Sequence, residues 1–192
     1  QNVPFVFRCI NRLDRDTTGV TMLAKNPFSA AILSEMVRNR EIHREYMAIA
    51  DGIFTIKEGV VDAPIGRKEG STIEREINLE TGEHAVTHYT VLKENNDLNC
   101  SQIKLWLETG RTHQIRASFS HLGNPLLGDG KYGKNAADKA KGFKHQALYS
   151  FRLRFNFTED AGILNYLNGK TFEVPNVWFA DKLFPDCKYK RL

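Results

Sequence analysis

Residues 101–108, Ser-Gln-Ile-Lys-Leu-Trp-Leu-Glu, alternate between apolar and polar side chains and place Ile103, Leu105 and Leu107 on one face. That period of two predicts a strand with one face in a core. Ala85–Lys93 alternates in the same manner a short distance upstream, and Tyr46–Ala50 is a shorter apolar run closed by Asp51-Gly52. Val20–Ala24 and Ala147–Phe157 add two more predicted strands. Only two stretches read as helix. Asn26 and Pro27 suit an N-cap and a first helical position. Phe28, Ala31, Ile32, Glu35 and Met36 then form the predicted stripe, with Asn39 as a stop. A second helix is predicted from about Thr112, with Ile115, Phe119 and Leu122 on one face and Gly123 at its end. Glu58–Glu83 is polar and turn-rich, Gly128–Phe143 reads as loop, and Leu164–Phe179 as short extended pieces about an Asn168-Gly169 turn. Strands outnumber helices and are joined mostly by turns, which predicts an α+β fold with a largely antiparallel sheet.

Composition narrows the function classes. No apolar run approaches the ~18 residues of a membrane span, so no membrane partner is expected. Cys9, Cys100 and Cys187 are few, odd in number and widely spaced, which predicts neither a zinc site nor a disulfide framework and fits a cytoplasmic location. His84 and His88 are four apart, but within a strand-like alternation rather than a helix, so no metal site is expected there. Lys plus Arg number 27 against 23 Asp plus Glu, a net charge of +4, which is weakly favourable to a polyanionic partner.

Polar chemistry concentrates in two places. Asn11–Gly19, Asn-Arg-Leu-Asp-Arg-Asp-Thr-Thr-Gly, directly precedes the Val20 run. A carboxylate there is held at a strand end among backbone and hydroxyl donors. On composition alone, an ordinary Asp/Thr/Gly turn accounts for the segment as well, and Asp16 reads as a turn residue rather than half of a catalytic carboxylate pair. Thr109–Arg116, Thr-Gly-Arg-Thr-His-Gln-Ile-Arg, sets Arg111 and Arg116 about a predicted helix N-terminus, an arrangement suited to an anion or to a solvated basic turn.

These segments resemble the large-subunit ribosomal (RluA-type) pseudouridine synthases. The family signature reads roughly H-R-L-D-x-x-T-S-G-L-L-x-x-A-K, and residues 11–25 stand as N-R-L-D-R-D-T-T-G-V-T-M-L-A-K, with Asn11 in place of His and Thr18 in place of Ser. Arg44-Glu45-Tyr46-Met47-Ala48 is similar to the second motif, and Thr109–Arg116 to the third. Gly123–Asp129 with Tyr132, and His145–Leu148, resemble two later blocks in the same order.

The resemblance implies a pseudouridine synthase fold: a mixed, mainly antiparallel sheet flanked by helices and loops, with a central active-site cleft. It implies a cofactor-free RNA pseudouridine synthase acting on structured RNA, large-subunit ribosomal RNA first and transfer RNA second. A non-catalytic RNA-binding module of the same fold, or a hydrolase of the glycosidic bond, is the alternative. Asp14, Tyr46 and Arg116 are the implied catalytic set. Asp14 is the essential carboxylate, Arg116 pairs with it, and Tyr46 stacks on the base. Arg12, Arg111, Thr112, His113, Gln114 and Ile115 are the implied RNA-binding residues. Lys131, Lys134, Lys139, Lys141 and Lys144 are further candidates for phosphate contacts. Residues 1–192 are expected to be one catalytic domain, N-terminally truncated, without an S4 RNA-binding domain, acting as a monomer.

Overall fold

The structure is a computed structural model and describes residues 7–133 and 135–187. In chain order its elements are β1 (Arg8–Cys9), β2 (Thr18–Gly19), β3 (Leu23–Ala24), α1 (Pro27–Arg38), β4 (Ile42–Asp51), β5 (Glu58–Asp62), β6 (Ile65–Arg67) and β7 (Arg75–Ile77). These are followed by β8 (Val86–Asn95), β9 (Cys100–Leu107), α2 (Gln114–His121), α3 (Asn135–Ala140), β10 (Leu148–Phe155), a 3-10 turn (Gly162–Leu167), β11 (Thr171–Glu173) and α4 (Trp178–Leu183). The main sheet runs β11-β10-β4-β9-β8-β5, all antiparallel, with β2 joined parallel to β10 as its seventh strand. This is the expected α+β class with a mainly antiparallel sheet.

β4 is central because Tyr-Met-Ala-Ile-Ala has an apolar side chain for each face. Tyr46, Ala48 and Ala50 join Ile103, Leu105, Leu148 and the α2 residues Ile115 and Phe119 in one core. Met47 and Ile49 point the other way, into a second core with Phe151, Val177 and Phe179. The predicted alternation in β9 holds for Ile103 and Leu105, both fully buried, while Leu107 is only partly covered near the sheet's end.

Several expectations are corrected. Val20–Ala24 is not one strand. Thr18–Gly19 pairs with β10 and Leu23–Ala24 pairs with β1, with a break between them, because the chain leaves one sheet for another. Helix α1 has the predicted caps: Asn26 Oδ1 accepts the Ser29 N–H at 2.8 Å, and Asn39 is the C-cap. Its buried face is Ala30, Leu33 and Met36, however, and Phe28 is 63% exposed. Helix α2 begins at Gln114 rather than Thr112, and Leu122 is exposed. The turn-rich stretch 58–83 contains the short strands β5, β6 and β7. Gly128–Phe143 contains α3, whose Asp138 is buried and accepts the Gly128 N–H at 2.9 Å. The stretch 164–179 holds the end of the 3-10 turn, one short strand and the start of α4. Lys134 lies outside the described residues.

Candidate active site

Asp14 sits on a loop that is tied down at both ends and at its tip. At the base, Asn11 Oδ1 accepts the Met22 N–H at 2.9 Å, and the Thr21 hydroxyl donates to the Asn11 carbonyl at 3.0 Å. At the tip, the Thr17 N–H donates to the Asp14 carbonyl at 3.0 Å, closing a turn in which Asp16 adopts φ +68°. A short polar side chain is among the few that tolerate that backbone. The Gln146 amide donates to the Arg15 carbonyl and to Thr17 Oγ1. The outgoing strand β2 lies tight against β10: the Val20 N–H donates to the Ser150 carbonyl at 2.8 Å, and the Ser150 hydroxyl returns a bond to the Val20 carbonyl at 3.0 Å. Gly19, at φ +122°, is required at this crossing, since a Cβ there would lie 2.1 Å from the Ser150 carbonyl oxygen.

Arg116 approaches Asp14 from α2. Its Nη1 is 3.5 Å from Asp14 Oδ2. Its Nε and Nη2 donate to the two oxygens of Asp129 at 2.7 and 2.8 Å, a bidentate pair that fixes the plane of the guanidinium. Asp129 is fully buried and also accepts the N–H groups of Lys131 and Tyr132. The Tyr132 ring lies under the guanidinium, 5.1 Å from ring centre to Cζ. Burial works against the Arg116 charge, but the hydrogen bonds and charge of Asp129, with Asp14 beyond it, outweigh burial and raise the arginine's pKa.

Tyr46 projects from β4 beside this pair and is 6% exposed. Burial, with a smaller contribution from the Asp14 charge, raises its pKa above the ordinary tyrosine value. Arg44 and the Ser150 hydroxyl pull less strongly the other way.

A cleft of about 610 Å³ opens between the Asp14 loop, the end of α1, the outer part of β4 and residues 107–115. Asp14, Tyr46, Arg12, Arg111, Thr112, Gln114 and Ile115 line it, so most residues singled out in the sequence converge. Three of them are committed elsewhere. Arg111 is paired with Glu83 and donates to the His84 carbonyl at 3.0 Å. Gln114 uses its whole side chain as a brace: it accepts from Thr109 Oγ1 and the Arg111 N–H, and donates to the Val86 carbonyl and Thr87 Oγ1. His113 does not line the cleft. Its backbone is left-handed at φ +55°, which turns the ring away to meet the Tyr132 hydroxyl with Nδ1 at 3.0 Å. None of the lysines proposed for phosphates lines the cleft among the described residues, and Lys141 donates to the Leu98 carbonyl instead.

Asp129, Gln146 and Arg44 are the contributors that sequence reasoning left without a role. Each stands inside a motif block, and only the folded contacts reveal what it touches. His84 and His88 are drawn to separate acids, Asp62 and Glu108, and no cluster of three or more metal-ligating side chains occurs among the described residues.

The sequence model of the RNA pseudouridylate synthase family matches residues 1–121. The uncharacterized RNA pseudouridine synthase YjbO of Bacillus subtilis is 44% identical over 146 residues, covering 76% of this chain and 49% of the relative. Ribosomal large subunit pseudouridine synthase D of Haemophilus influenzae is 41% identical over 155 residues, covering 76% of this chain and 47% of the relative. The chain thus spans about half the length of the curated relatives it matches. Among solved structures, human RNA pseudouridylate synthase domain containing 1 superposes with a TM-score of 0.75 at 24% identity, covering 92% of this chain and 71% of that one. Human RNA pseudouridylate synthase domain containing 4 does so with a TM-score of 0.62 at 26% identity, covering 78% and 67%. No helix among the described residues is long and apolar enough to cross a membrane.

Proposed function

The chain belongs to the RNA pseudouridylate synthase family, and from that premise we propose that it isomerises uridine to pseudouridine within RNA, with Asp14 as the reacting carboxylate. The observation that carries this reading is that Asp14 and Tyr46 line one cleft while a buried, Asp129-locked Arg116 faces Asp14 from behind at 3.5 Å.

In the proposed reaction the bond between uracil N1 and ribose C1′ breaks, the uracil turns in the cleft, and C5 bonds to C1′. The proton on C5 leaves and N1 gains one, so no atom is lost. Asp14 acts as an anion in each available route: attack on C1′, removal of a ribose proton to give a glycal, or addition to the base. Arg116 faces that anion and, because Asp129 fixes it, orients Asp14 without needing to move. Ile115 and Leu148 supply the apolar wall against which a base can turn. Tyr46 stacks on the base. Burial keeps its hydroxyl protonated at neutral pH, so it takes the C5 proton only by passing its own to a neighbour, and Asp14 is the carboxylate whose charge it feels.

A base inside a folded RNA must leave its stack to reach the cleft. Arg12, exposed at the mouth, is the side chain to fill the space it vacates. Large-subunit ribosomal RNA is the proposed substrate, on the strength of relatives named for it. The test is to map pseudouridines by chemical labelling in cells lacking the gene, then in the same cells carrying the wild-type gene or Asp14→Asn. A site that disappears, returns with wild type and stays absent with Asp14→Asn is the expected result. An unchanged map would refute the proposal.

A further inference from the structure

Arg44 and Tyr46 lie two residues apart on β4, and both line the cleft. Successive odd or even positions of a strand share a face and are separated by about 6.8 Å. Arg44 is only 9% exposed, yet it makes no ion pair among the described residues. Its Nε has no hydrogen-bond partner, and its Nη2 reaches the Thr109 carbonyl only at 3.5 Å. The neighbouring acid, Glu45, lies on the opposite face and is taken by Arg152 and Arg154 at 3.1 and 2.8 Å. The other clefted arginines with acid partners are Arg40, bound to Glu108 at 2.6 Å, and Arg111, bound to Glu83.

A guanidinium stays charged at any physiological pH, so burying one without a counter-ion is costly. The cleft does not supply that counter-ion. Arginines 12, 38, 40, 44 and 111 line it, against the carboxylates Asp14 and Glu108. Gly110 keeps the approach open, since a Cβ there would come within 3.1 Å of Arg44 Nη1. We propose that Arg44 is the seat for a phosphodiester of the bound strand: the buried guanidinium fork beside Tyr46 receives the phosphate of the nucleotide whose base enters the cleft. The donor fork matches phosphate oxygens in number and geometry. The inference rests on the RNA reading above and adds a substrate-binding residue to it.

The test is a fluorescence-anisotropy titration of an oligouridylate against wild type, Arg44→Gln, Arg44→Lys and Asp14→Asn over a series of salt concentrations. Each phosphate contact to a single strand contributes a slope of about −0.7 in log affinity against log salt. Arg44→Gln should make the slope shallower by about that amount, while Arg44→Lys and Asp14→Asn should leave it near wild type. A structural role alone would change the melting temperature and not the slope. A folded Arg44→Gln protein with the wild-type slope overturns the proposal. If Arg44→Gln does not fold, the wild-type protein decides. Its Arg44 Nε–H resonance, assigned by its loss in Arg44→Lys, should shift on adding the oligouridylate or inorganic phosphate and not on adding uridine. A resonance unmoved by either anion overturns the seat. Pseudouridine formation, measured in parallel, separates the two ideas: an inactive wild type refutes the proposed function, whereas an active enzyme with an Arg44-independent slope refutes only this inference.

Discussion

Arg116 holds Asp129 with two hydrogen bonds of 2.7 and 2.8 Å, and meets Asp14 at only 3.5 Å. The tighter partner is therefore the one away from the cleft. Asp129 fixes the guanidinium, and the guanidinium presents its remaining nitrogen to Asp14. Replacing Asp129 by Asn keeps the shape but leaves a 4%-exposed cation without its buried anion. Breaking one partner of such a pair costs roughly 3–5 kcal/mol. Asp129→Asn should lower the urea midpoint accordingly and reduce kcat more than it raises KM. Wild-type stability with wild-type kcat would show that Arg116 does not depend on Asp129.

Asp14→Asn should abolish pseudouridine formation while holding RNA affinity within about tenfold, or ~1.4 kcal/mol. The carboxylate faces a polyanion and adds no attraction to it, so its loss belongs in the chemical step. Product formed by a pure Asp14→Asn sample, measured in a single-turnover assay, would remove Asp14 from the chemistry.

The Asp14 turn is legible in sequence because its determinants are local: an Asp/Thr/Gly run beside an apolar segment. Asp129 is not, because its role depends on a contact with a helix thirteen residues earlier that only the fold creates. The isolation of Arg44 is equally hidden. The sequence sets Glu45 next to it, and the strand's alternation then turns that acid to the opposite face. Strand β5 escaped notice because it is an edge strand with Val60 exposed, so its composition looks like that of a loop. Phe28 misled for a related reason. Its place in the helical period suits a core stripe, but α1 turns Ala30 and Leu33 inward beside the expected Met36.

Tyr46→Phe should fold with a stability close to wild type, because the ring packs in an apolar cluster and only the hydroxyl, which meets Ser150 and feels the charges of Arg44 and Asp14 at the cleft, is lost. A hydroxyl kept in such a place is retained for chemistry or recognition. Its kcat should therefore fall much more than its KM rises. Tyr46→Ala should also lose binding, since stacking of a base on an aromatic ring is worth roughly 1–3 kcal/mol. Steady-state kinetics on both variants decides, and a Phe variant with unaltered kcat would limit Tyr46 to stacking.

His113 gives the fold a dependence on acid. Burial is the main cause that lowers its pKa below the usual 6.5, assisted by the positive charges of Arg116 and Lys131 and opposed by the negative charges of Asp14 and Asp129. The Tyr132 hydroxyl accepts the Arg75 N–H at 2.7 Å, which leaves its proton to donate to a neutral His113 Nδ1. A folded-state pKa below the unfolded one means that the unfolded chain binds the proton first as pH falls. Stability is therefore full above about 6.5 and is lost as pH drops from there through the lower folded value. His43, also lowered mainly by burial, acts in the same direction, so the wild-type curve alone does not isolate His113. The comparison with His113→Gln does. Urea midpoints taken from pH 7.5 down to about pH 5 should fall less steeply for the variant than for wild type. Parallel curves would mean that His113 has the same pKa in the folded and unfolded chains and contributes nothing to the acid dependence.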